Sequence, residues 1–195
     1  MSRFYSKLQE IEEALSFSNT FKAPDEDEQN KRIKEFFEVF RSKIKNKILL
    51  NDGTWRVKED LFIDSSIKTL DGLNVSIVDG DFSCSYNNLS SLKGCPKIIK
   101  GFFNCERNDI KTLIDCPESV GGGFNCCSNN LTSLIGAPNI VNSNFSCSWN
   151  GLKSLEGCPK VIKGYFYCKQ DEREKQFTKE DVLKVCNIRG SMIYV

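Results

Sequence analysis

Residues 80–101, GDFSCSYNNLSSLKGCPKIIKG, decide the fold, because the chain keeps returning to their pattern. Phe82, Phe103, Phe124, Phe145 and Phe166 stand 21 residues apart, and Cys84, Cys105, Cys126, Cys147 and Cys168 keep the same step. Asn87, Asn108, Asn129 and Asn150 run in phase with them, as do Leu89, Ile110, Leu131 and Leu152, and then Leu92, Leu113, Leu134 and Leu155. Four of the five prolines fall at Pro96, Pro117, Pro138 and Pro159, and an apolar residue closes each unit at Ile99, Val120, Val141 and Ile162. So many registers in phase over four units do not arise by chance. A period of this length means supersecondary units stacked on one another around a continuous core.

The residue types explain how one unit folds. Alternation within Phe-x-Cys puts both side chains on one face of a strand, and both residue types are commonly buried. The Asn stands where the strand bends, and its amide can bond backbone groups that the turn leaves unpaired, rung after rung. The Pro opens the return segment, with φ already fixed.

The unit F-x-C-x-x-N-x-L-x-x-L-x-x-x-P-x-x-I resembles the leucine-rich repeat, with Phe and Cys at the two strand Leu positions. It is similar to the short 20–22-residue repeats of bacterial effector proteins, which also place a Pro opposite the strand and often follow a pair of capping helices. More closely, residues 80–101 resemble repeats in leucine-rich-repeat proteins of large tailed bacteriophages and some bacteria. The resemblance covers about residues 60–170. It implies an α+β repeat fold: a leucine-rich-repeat solenoid with a parallel β-sheet, capped by an N-terminal helical pair and a short C-terminal element. For function it implies protein recognition. Some bacterial effectors carry a ubiquitin-ligase domain after the repeats; the 27 residues after Cys168 are too few for one.

The flanks read as caps. Leu61 to Leu70 looks like a degenerate earlier unit that slips by one residue before Phe82, and position 173 is Arg where Leu is expected. Phe4, Leu8, Ile11 and Leu15 share one helical face. A polar stretch from Ser16 to Asn30 leads to a second helix expected over about 27–48, acidic at its start and basic at its end, which complements the helix dipole. Asn51-Asp52-Gly53 predicts a tight turn between strands at 48–50 and 54–57. Thr178 opens a short C-terminal helix in a capping-box pattern, and Ser191 to Val195 suit a final strand. The expected division is therefore a helical cap with hairpin over 1–57, a solenoid over 58–170 and a C-terminal cap over 171–195. Capping is favoured because an open sheet edge is an aggregation hazard. In the alternative, the N-terminal segment is an effector or enzyme part with the repeats as its targeting module.

Composition narrows the chemistry. The net charge of +1 gives no global pull toward nucleic acid or membrane, and no apolar run approaches the roughly 20 residues that span a bilayer. The N-terminus turns charged too soon for a secretory signal, and ten Cys on a regular repeat suit a reducing compartment. A cytoplasmic protein is expected, in the host cytoplasm if viral. Histidine is absent, which removes the commonest general base and metal ligand. A 21-residue Cys ladder lacks the paired spacing of a zinc site, and parallel neighbours about 4.8 Å apart are poorly placed for disulfides. Cys95, Cys116 and Cys158 share their register with Ala137, which points to a size requirement. Cys127 aligns with Ser85, Glu106, Ser148 and Lys169, so an exposed thiol is expected there, with Glu106 raising its pKa. Gly121-Gly122-Gly123 lacks the Lys and Ser/Thr of a phosphate loop and reads as relief of crowding between rungs. No catalytic residue, metal or cofactor is expected.

What remains is the outward face of the strands, expected to stack into a concave surface. Tyr86, Phe102, Asn104, Glu106, Arg107, Asn125, Trp149, Tyr165, Tyr167 and Lys169 occupy it, at positions the core does not need. Tyr, Trp and Arg dominate interface energetics. The sequence thus points to a non-enzymatic module that binds a protein partner, with neither nucleic acid nor membrane as its target. By analogy with the phage repeats, it would be a virus-encoded inhibitor or modulator of a host protein. A structural role, with solenoids assembling edge to edge, is the other alternative.

Overall fold

Each 21-residue unit makes two strands, not one. The computed structural model describes residues 26–63, 67–190 and 192–195. In the second repeat, Ile98–Ile99 forms one two-residue strand and Phe103–Asn104 the next, and the following units repeat this. The elements run α1 (Glu26–Lys43), β1 (Lys47–Leu49), β2 (Trp55–Val57), β3 (Leu61–Phe62), β4 (Val75–Val78), β5 (Phe82–Ser83), β6 (Ile98–Ile99), β7 (Phe103–Asn104), β8 (Ser119–Val120) and β9 (Phe124–Asn125). They continue with β10 (Ile140–Val141), β11 (Phe145–Ser146), β12 (Val161–Ile162), β13 (Phe166–Tyr167), α2 (Lys179–Val185), β14 (Asn187–Ile188) and β15 (Ile193–Tyr194). Sheet I has eight strands in the order β1-β2-β4-β6-β8-β10-β12-β14; sheet II has seven, β15-β13-β11-β9-β7-β5-β3. All pairings are parallel except the β1–β2 hairpin. The molecule is a parallel β-solenoid with a sheet on two sides. Sequence reasoning expected one sheet and took Pro96 to Ile99 and its equivalents for a return segment; that segment carries sheet I.

The core lies between the sheets. Val57, Val78, Ile99, Val120, Val141 and Ile162 point in from sheet I, and the repeat Phe and Cys point in from sheet II. The five Phe rings pack rung on rung with centroids 5.0–5.9 Å apart, stacked except for the edge-to-face pair Phe103–Phe124. Adjacent sheets meet at a corner so tight that a Cβ on Gly101 would lie 2.1 Å from Asp81 Oδ1 and 2.7 Å from the Gly80 carbonyl carbon. A Cβ on Gly122, inside the triple glycine, would meet the Gly101 backbone at 2.9 Å.

The Asn ladder is present as the sequence suggests. Asn108 Nδ2 donates to the carbonyls of Cys84, Cys105 and Glu106, while its Oδ1 accepts from the Leu89 N–H. Asn87, Asn129 and Asn150 repeat this on their own rungs. In the fifth rung Asp171 holds the Asn register, and buried Gln170, one residue earlier and one methylene longer, takes over: it donates to the Cys168 and Cys147 carbonyls and accepts from the Asn150 N–H. Every described buried side-chain N or O atom has a partner.

Helix α1 buries Phe36 and Phe37, and Phe37 and Ile33 lie against Gly72. Arg41 ties the helix to the first rung by donating to the carbonyls of Gly72 and Leu73. The helix ends at Lys43, earlier than expected, because the chain turns into β1. The expected first helix, residues 4–15, lies outside the described residues. The expected hairpin and C-terminal helix are present, the latter with Thr178 and Asp181 as a capping box. Both sheets run across the expected boundaries at 57 and 170: β2 pairs with β4, and β14 and β15 extend sheets I and II.

Candidate functional site

Strand register sets the outward face of sheet II. Alternation turns the residue between Phe and Cys outward, so Phe62, Ser83, Asn104, Asn125, Ser146, Tyr167 and Tyr194 form one row across the rungs. Two residues on, Ser85, Glu106, Cys127, Ser148 and Lys169 make a second row. Next to it, Tyr86, Arg107, Ser128 and Trp149 form a third, on the turn that leaves the sheet.

That third row has an unusual backbone. Tyr86, Arg107, Ser128 and Trp149 all have positive φ, 56°, 52°, 54° and 57°. A left-handed residue other than Gly is disfavoured by roughly 1–2 kcal/mol, so it persists only where its surroundings fix it. The ladder Asn next in sequence does so, by bonding the carbonyl two residues before it and the backbone of the previous rung. The consequence is a ring or guanidinium held out from the edge of the sheet: Tyr86 is 65% exposed and Trp149 53%.

Of the ten expected interface residues, six gather in pairs. Arg107 stacks over the Tyr86 ring at 5.2 Å, and the Lys169 ammonium lies 5.9 Å from the Trp149 ring. Tyr165 and Tyr167 meet edge to face at 6.4 Å. Phe102 lies across the Gly123 backbone, where a Cβ would approach its ring to 3.1 Å. Asn104, Glu106 and Asn125 behave differently. They bond one another and the backbone: Asn104 Oδ1 accepts from the Glu106 N–H, Asn125 Nδ2 donates to Glu106 Oε2 at 2.8 Å, and Asn125 Oδ1 accepts from the Cys127 N–H. They make a half-buried polar floor between two aromatic ends.

Sequence reasoning missed Tyr194 and Phe62. Tyr194 stacks on Tyr167 at 4.7 Å with the rings nearly parallel, and extends the aromatic end by one rung. The step from Phe166 to its partner Ile193 is 27 residues, because α2 is inserted, so a 21-residue period does not reach it. Phe62, 57% exposed, belongs to the degenerate first unit.

Cys127 corrects an expectation. It is half-buried rather than exposed, and its thiol is pushed up to about 11, first by burial and only secondarily by Glu106. Burial likewise lifts Cys84 and Cys116 to about 12. Thiols held this far above neutral pH stay protonated, which suits packing and not nucleophilic attack. Among the described residues, no group of three or more Cys, Asp or Glu could hold a metal, and no helix is long and apolar enough to cross a membrane. No protein-family model matches the chain, and no curated protein or solved structure matches it at a significant level.

Proposed function

We propose that this chain is a protein-binding module, built on a leucine-rich-repeat variant, that engages a macromolecular partner through the outward face of sheet II. The left-handed row carries the reading. Tyr86, Arg107 and Trp149 accept a strained backbone that Gly would adopt freely, and their side chains face solvent, paired with one another or with Lys169 and not with the core. Rigid aromatics beside cations, around a floor whose own hydrogen bonds are already made, are what an interface hot spot requires. The two ends lie three rungs apart, about 14 Å at the usual strand spacing. The narrower reading, a virus-encoded modulator of a host protein, is supported by the resemblance of the repeats to those of phage proteins.

The test uses glycine, which relieves the strain as it removes the ring. Tyr86→Gly and Trp149→Gly together leave the thermal midpoint unchanged or raised. A partner captured by the wild-type chain and then measured by calorimetry should lose at least about tenfold in affinity, the signature of a hot spot. Undiminished affinity would show that this face is not where the partner binds.

A further inference from the structure

We propose that the outward face of sheet I is a second docking surface, and that its occupant is an acidic amphipathic helix of a partner protein. Register places Ile77, Ile98, Ser119, Ile140 and Val161 in a single row across sheet I, which Arg56 and then Ile48 continue at one end and Asn187 at the other. The core does not call for them, since the inward positions of the same strands are already filled by Val and Ile. Yet Ile98, Ile140 and Ile48 are 39%, 50% and 43% exposed. Exposed sheet faces ordinarily carry polar residues, and an ordered apolar stripe marks a binding surface.

The stripe is one residue wide, with charge beside it. Two residues further along, on the same face, stand Asp79, Lys100, Gly121, Asn142, Lys163 and Arg189. Asp79 is claimed by Arg56, which binds both its oxygens at 2.8 and 2.9 Å, and by Lys100 at 2.8 Å. Lys163 and Arg189 make no ion pair among the described residues. They line a groove of 410 Å³ together with Ile140, Val161 and Glu118, the last paired with Lys97 at 3.5 Å. A rod with acidic flanks and an apolar seam fits this arrangement better than a plane does. The dimensions agree: an α-helix rises about 5.4 Å per turn and the rungs about 4.8 Å. A helix laid along the solenoid axis therefore sets one apolar residue over each rung, drifting by only about 2–3 Å over four rungs. Ser119 leaves a dip between Ile98 and Ile140 that a long Leu or Phe of the helix can fill. Acidic residues one step round the helix meet Lys163 and Arg189.

The experiment uses the full chain and a labelled synthetic helical peptide of about 18 residues, five turns, with a Leu seam flanked by Glu. Anisotropy should show saturable binding that weakens with salt. Ile98→Ser with Ile140→Ser, and separately Lys163→Glu with Arg189→Glu, should each weaken it at least tenfold; these side chains face solvent, so both variants fold. A peptide with Lys in place of Glu should not bind, and the Tyr86→Gly, Trp149→Gly chain should bind like wild type, which separates this surface from sheet II. The proposal is overturned if the acidic peptide fails to bind, or binds both variants undiminished. Vesicles of anionic phospholipid that sediment the wild-type chain but not the Ile98, Ile140 variant would also overturn it, in favour of a membrane.

Discussion

Every repeat turns twice through the left-handed region, and the two turns choose opposite residues. On leaving sheet II, φ is 52–57° and the residues are Tyr, Arg, Ser and Trp. Before each Cys-Pro or Ala-Pro step, φ is 88°, 98° and 80° and the residue is Gly94, Gly136 or Gly157, with Asp115 at 66° as the exception. The first set lies inside the small pocket that L-residues reach, near φ +50 to +70°; the glycines lie beyond it. Crowding adds to the difference. A Cβ on Gly94 would stand 2.2 Å from the Leu70 carbonyl oxygen, and one on Gly136 2.4 Å from the Leu113 carbonyl carbon. The glycine turn packs backbone on backbone and admits a side chain only in the rung of Asp115. The other turn projects into solvent, so its residue is free to serve a partner.

The largest effect should come from the residue that fixes the permissive turn. Asn108→Ala orphans the buried Leu89 N–H and takes one of two amide donors from each of the Cys84 and Cys105 carbonyls, which keep Asn87 and Asn129. A loss of about 3 kcal/mol or more in urea denaturation is expected, from one buried orphan at roughly 1–3 kcal/mol and three lost amide donations at roughly 0.5–1.5 kcal/mol each. A loss below about 1 kcal/mol would mean the ladder is not what holds Arg107 left-handed. Next in size is Gly136→Ala, which combines a strained φ with a backbone clash and should lose about 2–4 kcal/mol. The same substitution at half-buried Gly151, where the nearest neighbour of a Cβ is at 3.9 Å, provides the contrast and should change little. The smallest effect has the opposite sign. Asp115→Gly restores the usual residue and should stabilise by up to about 1 kcal/mol, raising the thermal midpoint by roughly 2–4 °C in a chain of this size. A fall in that midpoint would show that the Asp115 side chain makes a contribution its backbone strain conceals.

Sheet II was legible in the sequence because its strands carry the bulky, periodic residues: Phe, Cys and Asn recur without exception from Phe82 to Cys147. Sheet I was legible only at its β1–β2 hairpin: its repeat strands, Ile98–Ile99 and its equivalents, carry a single inward residue each, so no alternation can be read, and the neighbouring Lys, Pro and Gly suggest a loop. The glycine register escaped notice because Asp115 breaks it. The floor residues Asn104, Glu106 and Asn125 were chosen for their position, but only the structure reveals that they bond one another. Gln170 could not be foreseen, since it does an Asn's work from the neighbouring position.

The Asn ladder also sets how the molecule should yield to force. Each amide reaches only its own rung and the one before it, and each inward Phe touches only its neighbours. A pull on Val195 therefore loads one interface at a time, starting with β14 and β15, while the rungs behind remain intact. Extension should come as discrete slips, and in the regular repeats each slip frees 21 residues, about 70 Å of chain. Regular repetition makes the protein a ratchet as well as a scaffold.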